Sequence, residues 1–299
     1  MPISNKTIAH IALLCTNIFF AMNFTVVKFL IGGGFVGAFG LNFLRAGVTA
    51  LLLWILYLFK PVKNTIQKKD YGRLFLCALA GISVNQLLFI KGLSLTYSIH
   101  ASLLILTTPI LITFFAAWML KERLNNYKLL GLSLGVSGAL VLILSKEKTG
   151  NPSDVILGDV LILLNAISYT FYFIMVKPLM KTYNPIVILR GIFTIGFFIM
   201  IPFCWQQFAA IEWATYNTEA YIALASVVIA GTFFAYLFNI YGIKILGASI
   251  AGSYIYLQPL FGAVIAIVFG GETLVTYKII AAILIFMGVF LVNKQKTND

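Results

Sequence analysis

Long apolar stretches separated by short polar breaks run the length of the chain, and the few polar residues inside them recur at helical rather than alternating intervals. This pattern predicts ten membrane-crossing helices, near 8–30, 37–59, 74–94, 98–120 and 129–145, then 157–177, 185–204, 220–243, 248–270 and 277–293. Crossing ~30 Å of hydrocarbon takes roughly 20 apolar residues in a helix, and the missing alternation argues against an outer-membrane barrel. The fold class is therefore all-α integral membrane.

Composition narrows where function can sit. Hydrophobic residues make up 61% and charged ones 10%, with a mean hydropathy of +0.99, whereas a soluble domain is about 25% charged. The longest polar connections, near 60–73, 145–156 and 205–219, are too short to hold a core of their own. Lys6 precedes an apolar run that is too long for the h-region of a cleaved signal, so the first helix is read as retained. Cys15, Cys77 and Cys204 fall inside spans with neither CxxC spacing nor a His cluster, and read as apolar fillers rather than metal ligands.

The net charge of +12 is dispersed over loops and span ends, which speaks against a nucleic-acid partner and instead reports orientation. With the N-terminus inside, fourteen of the 21 Lys and Arg fall on the cytoplasmic side and five opposite, Arg45 and Arg190 lying within spans. The positive-inside rule then places both termini in the cytoplasm of the plasma (bacterial inner) membrane. Trp205 and Trp213 bracket a predicted loop, as interfacial anchors do.

The chain also repeats itself. Displaced by 150 residues, it aligns without a gap from Leu87 to Gly138, matching Gly92 with Gly242, Pro109 with Pro259, Glu122 with Glu272, Tyr127-Lys128 with Tyr277-Lys278 and Gly138 with Gly288. Earlier in each half the register slips: Val27-Lys28 matches Val176-Lys177, and Leu44-Arg45 matches Leu189-Arg190. Units of five spans, here 1–148 and 149–299, cross the membrane in opposite senses, the inverted-repeat plan of many secondary transporters. Charge follows the inversion: the loop 60–73 carries Lys60, Lys63, Lys68, Lys69 and Arg73, whereas 205–219 carries Glu212 and Glu219 and no basic residue.

The twin segments Thr107-Thr108-Pro109 through Lys121-Glu122-Arg123 and Leu257-Gln258-Pro259 through Gly271-Glu272-Thr273 resemble the drug/metabolite transporter superfamily, in particular its EamA-type ten-helix permeases. The resemblance covers nearly the whole chain. It implies a central cavity lined mainly by spans 1, 3, 4, 6, 8 and 9, with spans 5 and 10 peripheral.

Polar residues within spans are the candidates for that cavity. Asn165, Ser168, Tyr169 and Tyr172 follow i, i+3, i+4, i+7 spacing on one face of span 6. Tyr236 with Asn239, and Tyr254 with Gln258, share faces of spans 8 and 9, while Asn17, Asn85, Gln86 and Thr107 add polar groups from spans 1, 3 and 4. These side chains either contact an uncharged or zwitterionic solute or bond one helix to another. Asn23 lies about 240° round the helix from Asn17, so the two are not expected to face one narrow cavity, and Asn17 is preferred.

Pro109 and Pro259 deprive the carbonyls of Ile105 and Ile255 of their helical partners and predict functional kinks. Glu122 and Glu272, at span ends, read as structural caps of the following helix or partners of basic neighbours. Every carboxylate lies in a loop or near a span end, which argues against a proton exchanger of the small multidrug type. His100 reads as interfacial or packed rather than as a proton relay. Lys28, Arg45, Lys177 and Arg190 are expected to snorkel to the interface; one that points inward would select a carboxylate or another anion. Gly131, Gly135 and Gly138 permit close packing but do not imply a dimer.

The expected function is a secondary transporter that moves a small metabolite such as an amino acid or a related compound by alternating access, with export as the direction that the resemblance implies. The competing reading is a receptor-like membrane protein that keeps the cavity without completing transport. No catalytic set, metal cluster or phosphate loop points to an enzyme, and Gly32-Gly33-Gly34 reads as a flexible turn. The partners implied are a small-molecule solute and the lipid bilayer, with no cofactor, no metal, no nucleic acid and a monomer as the working state.

Overall fold

A computed structural model describes residues 4–59, 65–120, 126–144, 154–246, 251 and 254–293. The described residues are helices joined by short connections. α1 (Asn5–Gly32) and α2 (Ala38–Phe59) are followed by α3 (Lys68–Leu95), by α4 in two pieces (Ser98–Ile105 and Thr108–Leu120) and by α5 (Asn126–Leu144). The second half has α6 (Val155–Thr182), α7 (Pro185–Ala209), α8 (Thr218–Leu246), α9 (Leu257–Gly270) and α10 (Thr276–Asn293). Seven of these are long and apolar enough to cross a bilayer; the helices beginning at Ser98, Leu257 and Thr276 are shorter. Leu58, Phe59, Leu144, Phe198, Phe269 and Phe290 point outward, an arrangement suited to lipid. The molecule is a multi-pass membrane protein.

Local chemistry sets the helix ends. The Ser4, Asp154, Asn184 and Asn217 side chains accept from Thr7, Leu157, Ile186 and Ala220 backbone N–H groups, satisfying donors that the first turn leaves open. Gly271 ends α9 in the left-handed region at φ 64°, where a Cβ would be strained.

Turns at residues 106–107 and 255–256 interrupt the helical path within the expected spans 98–120 and 248–270, just before Pro109 and Pro259, where the sequence predicts kinks. The Thr108 hydroxyl donates to the Ile105 carbonyl at 2.6 Å, and the Gln258 backbone N–H to the Ile255 carbonyl at 3.0 Å, so neither proline-orphaned carbonyl is left bare. A π turn at Leu79–Ser83 in α3, absent from the sequence reading, has its counterpart within Ser226–Phe234 of α8 after the 150-residue displacement. The repeat thus extends to irregular backbone.

Helices in lipid gain little from apolar burial against one another, so packing closeness and hydrogen bonds hold them together. α2 lies along α7, α3 along α6, and α1 touches α3, α4, α8 and the α9 segment. α5 and α10 lie against each other. Their contact consumes the small-residue face of α5: a Cβ on Gly288 would meet the Gly131 carbonyl oxygen at 2.6 Å, and one on Gly138 the Ala281 carbonyl at 2.9 Å. Cys15, Cys77 and Cys204 are free thiols. Glu122 lies outside the described residues.

Candidate functional site

A cavity of about 120 Å³ lies within the bundle. α1 contributes Thr16, Asn17, Phe20, Asn23 and Phe24, which at 100° per residue occupy an arc of about 120°. Asn17 and Asn23 stand at opposite edges of that arc. The expectation that only one of them faces the cavity is corrected, because the cavity wraps a third of the helix rather than meeting it along a line.

Asn85 and Asn165 line the cavity and clasp α3 to α6: each side-chain amide donates to the other's backbone carbonyl, at 3.2 and 2.9 Å. The Gln86 amide donates to the Tyr236 hydroxyl at 2.8 Å, joining positions 150 residues apart and therefore equivalent in the two repeats. The Gln258 amide donates to Asn17 Oδ1 at 2.8 Å, while the Asn17 amide donates to the Leu13 carbonyl at 2.7 Å. Tyr169 and Asn239 complete the expected residues on the wall. These groups face the cavity and bond helices at once, so the two sequence readings coexist in the same side chains.

Four expected lining residues lie elsewhere. The Ser168 hydroxyl donates to the Ala80 carbonyl at 2.7 Å, and the Tyr172 ring presses on Gly81, whose Cβ would sit 2.4 Å from it. The polar stripe of α6 covers about 100°; the π turn of α3 takes the Ser168–Tyr172 edge and the cavity takes Asn165 and Tyr169. Thr107 donates into its own turn, to Leu104 at 2.7 Å, and Thr108 lines the wall in its place. Tyr254 bonds His10 Nδ1 at 2.7 Å, away from the cavity.

Arg45 is the largest departure from expectation. It lies 3% exposed on the cavity wall instead of snorkelling, which adds α2 to the lining helices. It stands seven residues, about 10 Å, from the nearer end of α2. Nε donates to the Thr232 hydroxyl of the α8 π turn at 2.9 Å, and Thr232 in turn donates to the Val227 carbonyl at 2.8 Å. Asn42, Arg45 and Thr49, all buried at i, i+3, i+7 spacing, form a polar stripe on α2 that would have revealed the inward face. Arg190, its repeat counterpart, lies over the Trp54 and Tyr57 rings at 4.3 and 3.7 Å, and Lys177 lies over Phe173 at 5.0 Å.

A second polar cluster closes one end of the bundle. Glu272 accepts from the Ser98 and Ile99 backbone N–H groups at 2.6 and 3.1 Å and pairs with Lys28 at 3.5 Å. It therefore caps α4 from across the repeat, not the helix that follows it. Asp159, the third residue of expected span 6 and thus near a span end as the sequence places it, is nevertheless fully buried. Thr96 donates its hydroxyl to Asp159, His100 Nδ1 faces the same carboxylate at 2.9 Å, and Nε2 lies 3.2 Å from the Tyr277 hydroxyl. Distance from a span end, measured in sequence, does not reveal whether neighbouring helices cover a side chain. Lys278, also fully buried, donates to the Thr273 carbonyl at 3.1 Å above the Tyr97 ring.

Known proteins place this arrangement. The chain aligns over 288 residues, 96% of its length and 98% of the relative's, with an uncharacterized transporter of Archaeoglobus fulgidus at 26% identity. It is 25% identical over 177 residues to the uncharacterized transporter YetK of Bacillus subtilis, 58% of this chain and 53% of that one. A solved crystal structure shares the fold with a TM-score of 0.63 at 18% identity, covering 97% of this chain and 96% of the other. The model of the EamA-like transporter family matches twice, at residues 7–144 and again at 156–294. With both halves matched, the chain belongs to the EamA-like transporter family.

Proposed function

We propose that the protein is a secondary carrier of a small polar metabolite, an amino acid or a related compound, which it exports by alternating access through the central cavity. The observation that carries this reading is the amide- and hydroxyl-lined cavity between the two halves, on whose wall the equivalent residues Gln86 and Tyr236 are joined by a hydrogen bond. Phe20, Phe24 and Phe89 provide apolar wall beside these polar groups, suiting a solute with both characters. In this reading 1–148 and 149–299 form ten spans in two inverted units, both termini lie in the cytoplasm of the plasma membrane, and the working unit is a monomer.

Counterflow of a labelled amino-acid and metabolite panel in proteoliposomes, with and without a pH gradient, tests the proposal. Saturable exchange of at least one solute is expected, and no exchange of any solute would favour a receptor-like protein. Tyr169→Ala should lower flux about two- to tenfold while membrane insertion stays normal, as loss of one aromatic contact predicts; unchanged flux would remove Tyr169 from the site.

The interrupted helices before Pro109 and Pro259 are the proposed flexing points. The double replacement Pro109→Ala, Pro259→Ala should slow interconversion of the two open forms, measured as single-turnover exchange. Wild-type exchange would show that both kinks are merely tolerated.

A further inference from the structure

We propose that Arg45 is the anchor for a carboxylate group on the transported solute, an inference that rests on the carrier reading and narrows it to monoanionic or zwitterionic acids. Among the described residues that line the cavity, Arg45 alone carries a charge. Its Nε is committed to Thr232, yet Nη1 is buried with no hydrogen-bond partner among the described residues. A guanidinium stays protonated in any protein setting, and an ion held inside a membrane bundle pairs with an opposite charge or a set of dipoles. Here the described residues give the guanidinium one hydroxyl, and the cavity that Arg45 lines is where a further acceptor can enter.

The cavity holds a second open group of opposite character. Gln86 Oε1 is buried without a partner while its amide is fixed on Tyr236, so the carbonyl oxygen is held ready for a donor. A cationic donor and a neutral acceptor, both buried without a partner among the described residues and both on residues of one wall beside Phe20 and Phe89, match a small acid that also bears an ammonium or hydroxyl group. The repeat does not duplicate the anchor. Arg190 is drawn outward onto Trp54 and Tyr57, so a single cation stands to one side of the pseudo-symmetric cavity and would orient the solute within it.

Thermal unfolding of the full chain in detergent, and counterflow in proteoliposomes, are to be measured with L-alanine, L-valine, L-threonine and L-phenylalanine, and in competition with the carboxamide of each. At least one acid should stabilise the protein and exchange, with its carboxamide about 10- to 100-fold weaker, the range expected for loss of a charge-assisted contact. Arg45→Gln should abolish that preference and Arg45→Lys restore part of it, while Arg190→Gln keeps it. Without solute, Arg45→Gln should unfold no earlier than the wild type. Equal strength of acid and carboxamide, a preference that survives Arg45→Gln, or exchange confined to solutes lacking an acid group would overturn the anchor and leave the carrier reading standing. Early unfolding of solute-free Arg45→Gln would overturn it too, assigning Arg45 to structure. Failure of every solute in the wider panel would overturn the carrier reading, and the anchor with it.

Discussion

Replacing His100 with Ala is expected to destabilise the protein by about 3–5 kcal/mol, the usual cost of breaking one side of a buried ion or hydrogen-bonded pair. Both His100 and Asp159 have no exposed surface, so water cannot replace the lost partner. Asp159 would retain the Thr96 hydroxyl alone, and the Tyr277 hydroxyl would lose its ring-nitrogen partner. The cluster also ties α3, α4, α6 and α10 together at one end, so the loss reaches several helix contacts at once. Once His100 is gone, removing Asp159 takes away an uncompensated buried acid. The double variant His100→Ala, Asp159→Ala should therefore cost less than the sum of its singles, with a coupling of about 0.5–3 kcal/mol. Unfolding in mixed micelles measures all three variants; strictly additive losses would mean that the two side chains do not act as a pair.

Gly288→Leu is expected to be the next most damaging change, for a steric reason. The first side-chain carbon alone would lie 2.6 Å from the Gly131 carbonyl oxygen and 2.8 Å from the Gly135 nitrogen. Both are backbone atoms on α5 and have no alternative rotamer. α5 and α10 would have to separate, at a cost of about 1–3 kcal/mol for an overpacked contact, and the lost backbone approach has no hydrophobic replacement in lipid. Gly72→Ala is the control: its Cβ meets nothing within 4 Å, and Ala gains about 0.5–1 kcal/mol over Gly inside a helix. Gly288→Leu protein with wild-type unfolding would show that the two helices are not held at this distance.

The helices and the duplication were legible because each is a property of neighbouring residues or of a fixed displacement. Apolar runs of bilayer length and the Pro109/Pro259 pair are written locally. The candidate cavity was legible in part. Asn17, Asn85, Gln86, Asn165, Tyr169, Tyr236, Asn239 and Gln258 reach its wall, because polar groups in a membrane helix turn away from lipid. Turning away from lipid does not choose between a cavity and a neighbouring helix, and for Ser168, Tyr172, Thr107 and Tyr254 the neighbour took the side chain.

Sequence by itself determined the all-helical membrane architecture, the two related halves and the polar residues from which a site could be built. Tertiary structure decided which faces were left for the cavity. It turned Arg45 inward beneath Thr232 and its counterpart Arg190 outward onto two rings, and it buried Asp159 against His100. Periodicity fixes a side chain's direction around its own helix only. What that direction meets depends on the rotation and spacing of the other helices, and these are set by contacts between residues far apart in the chain.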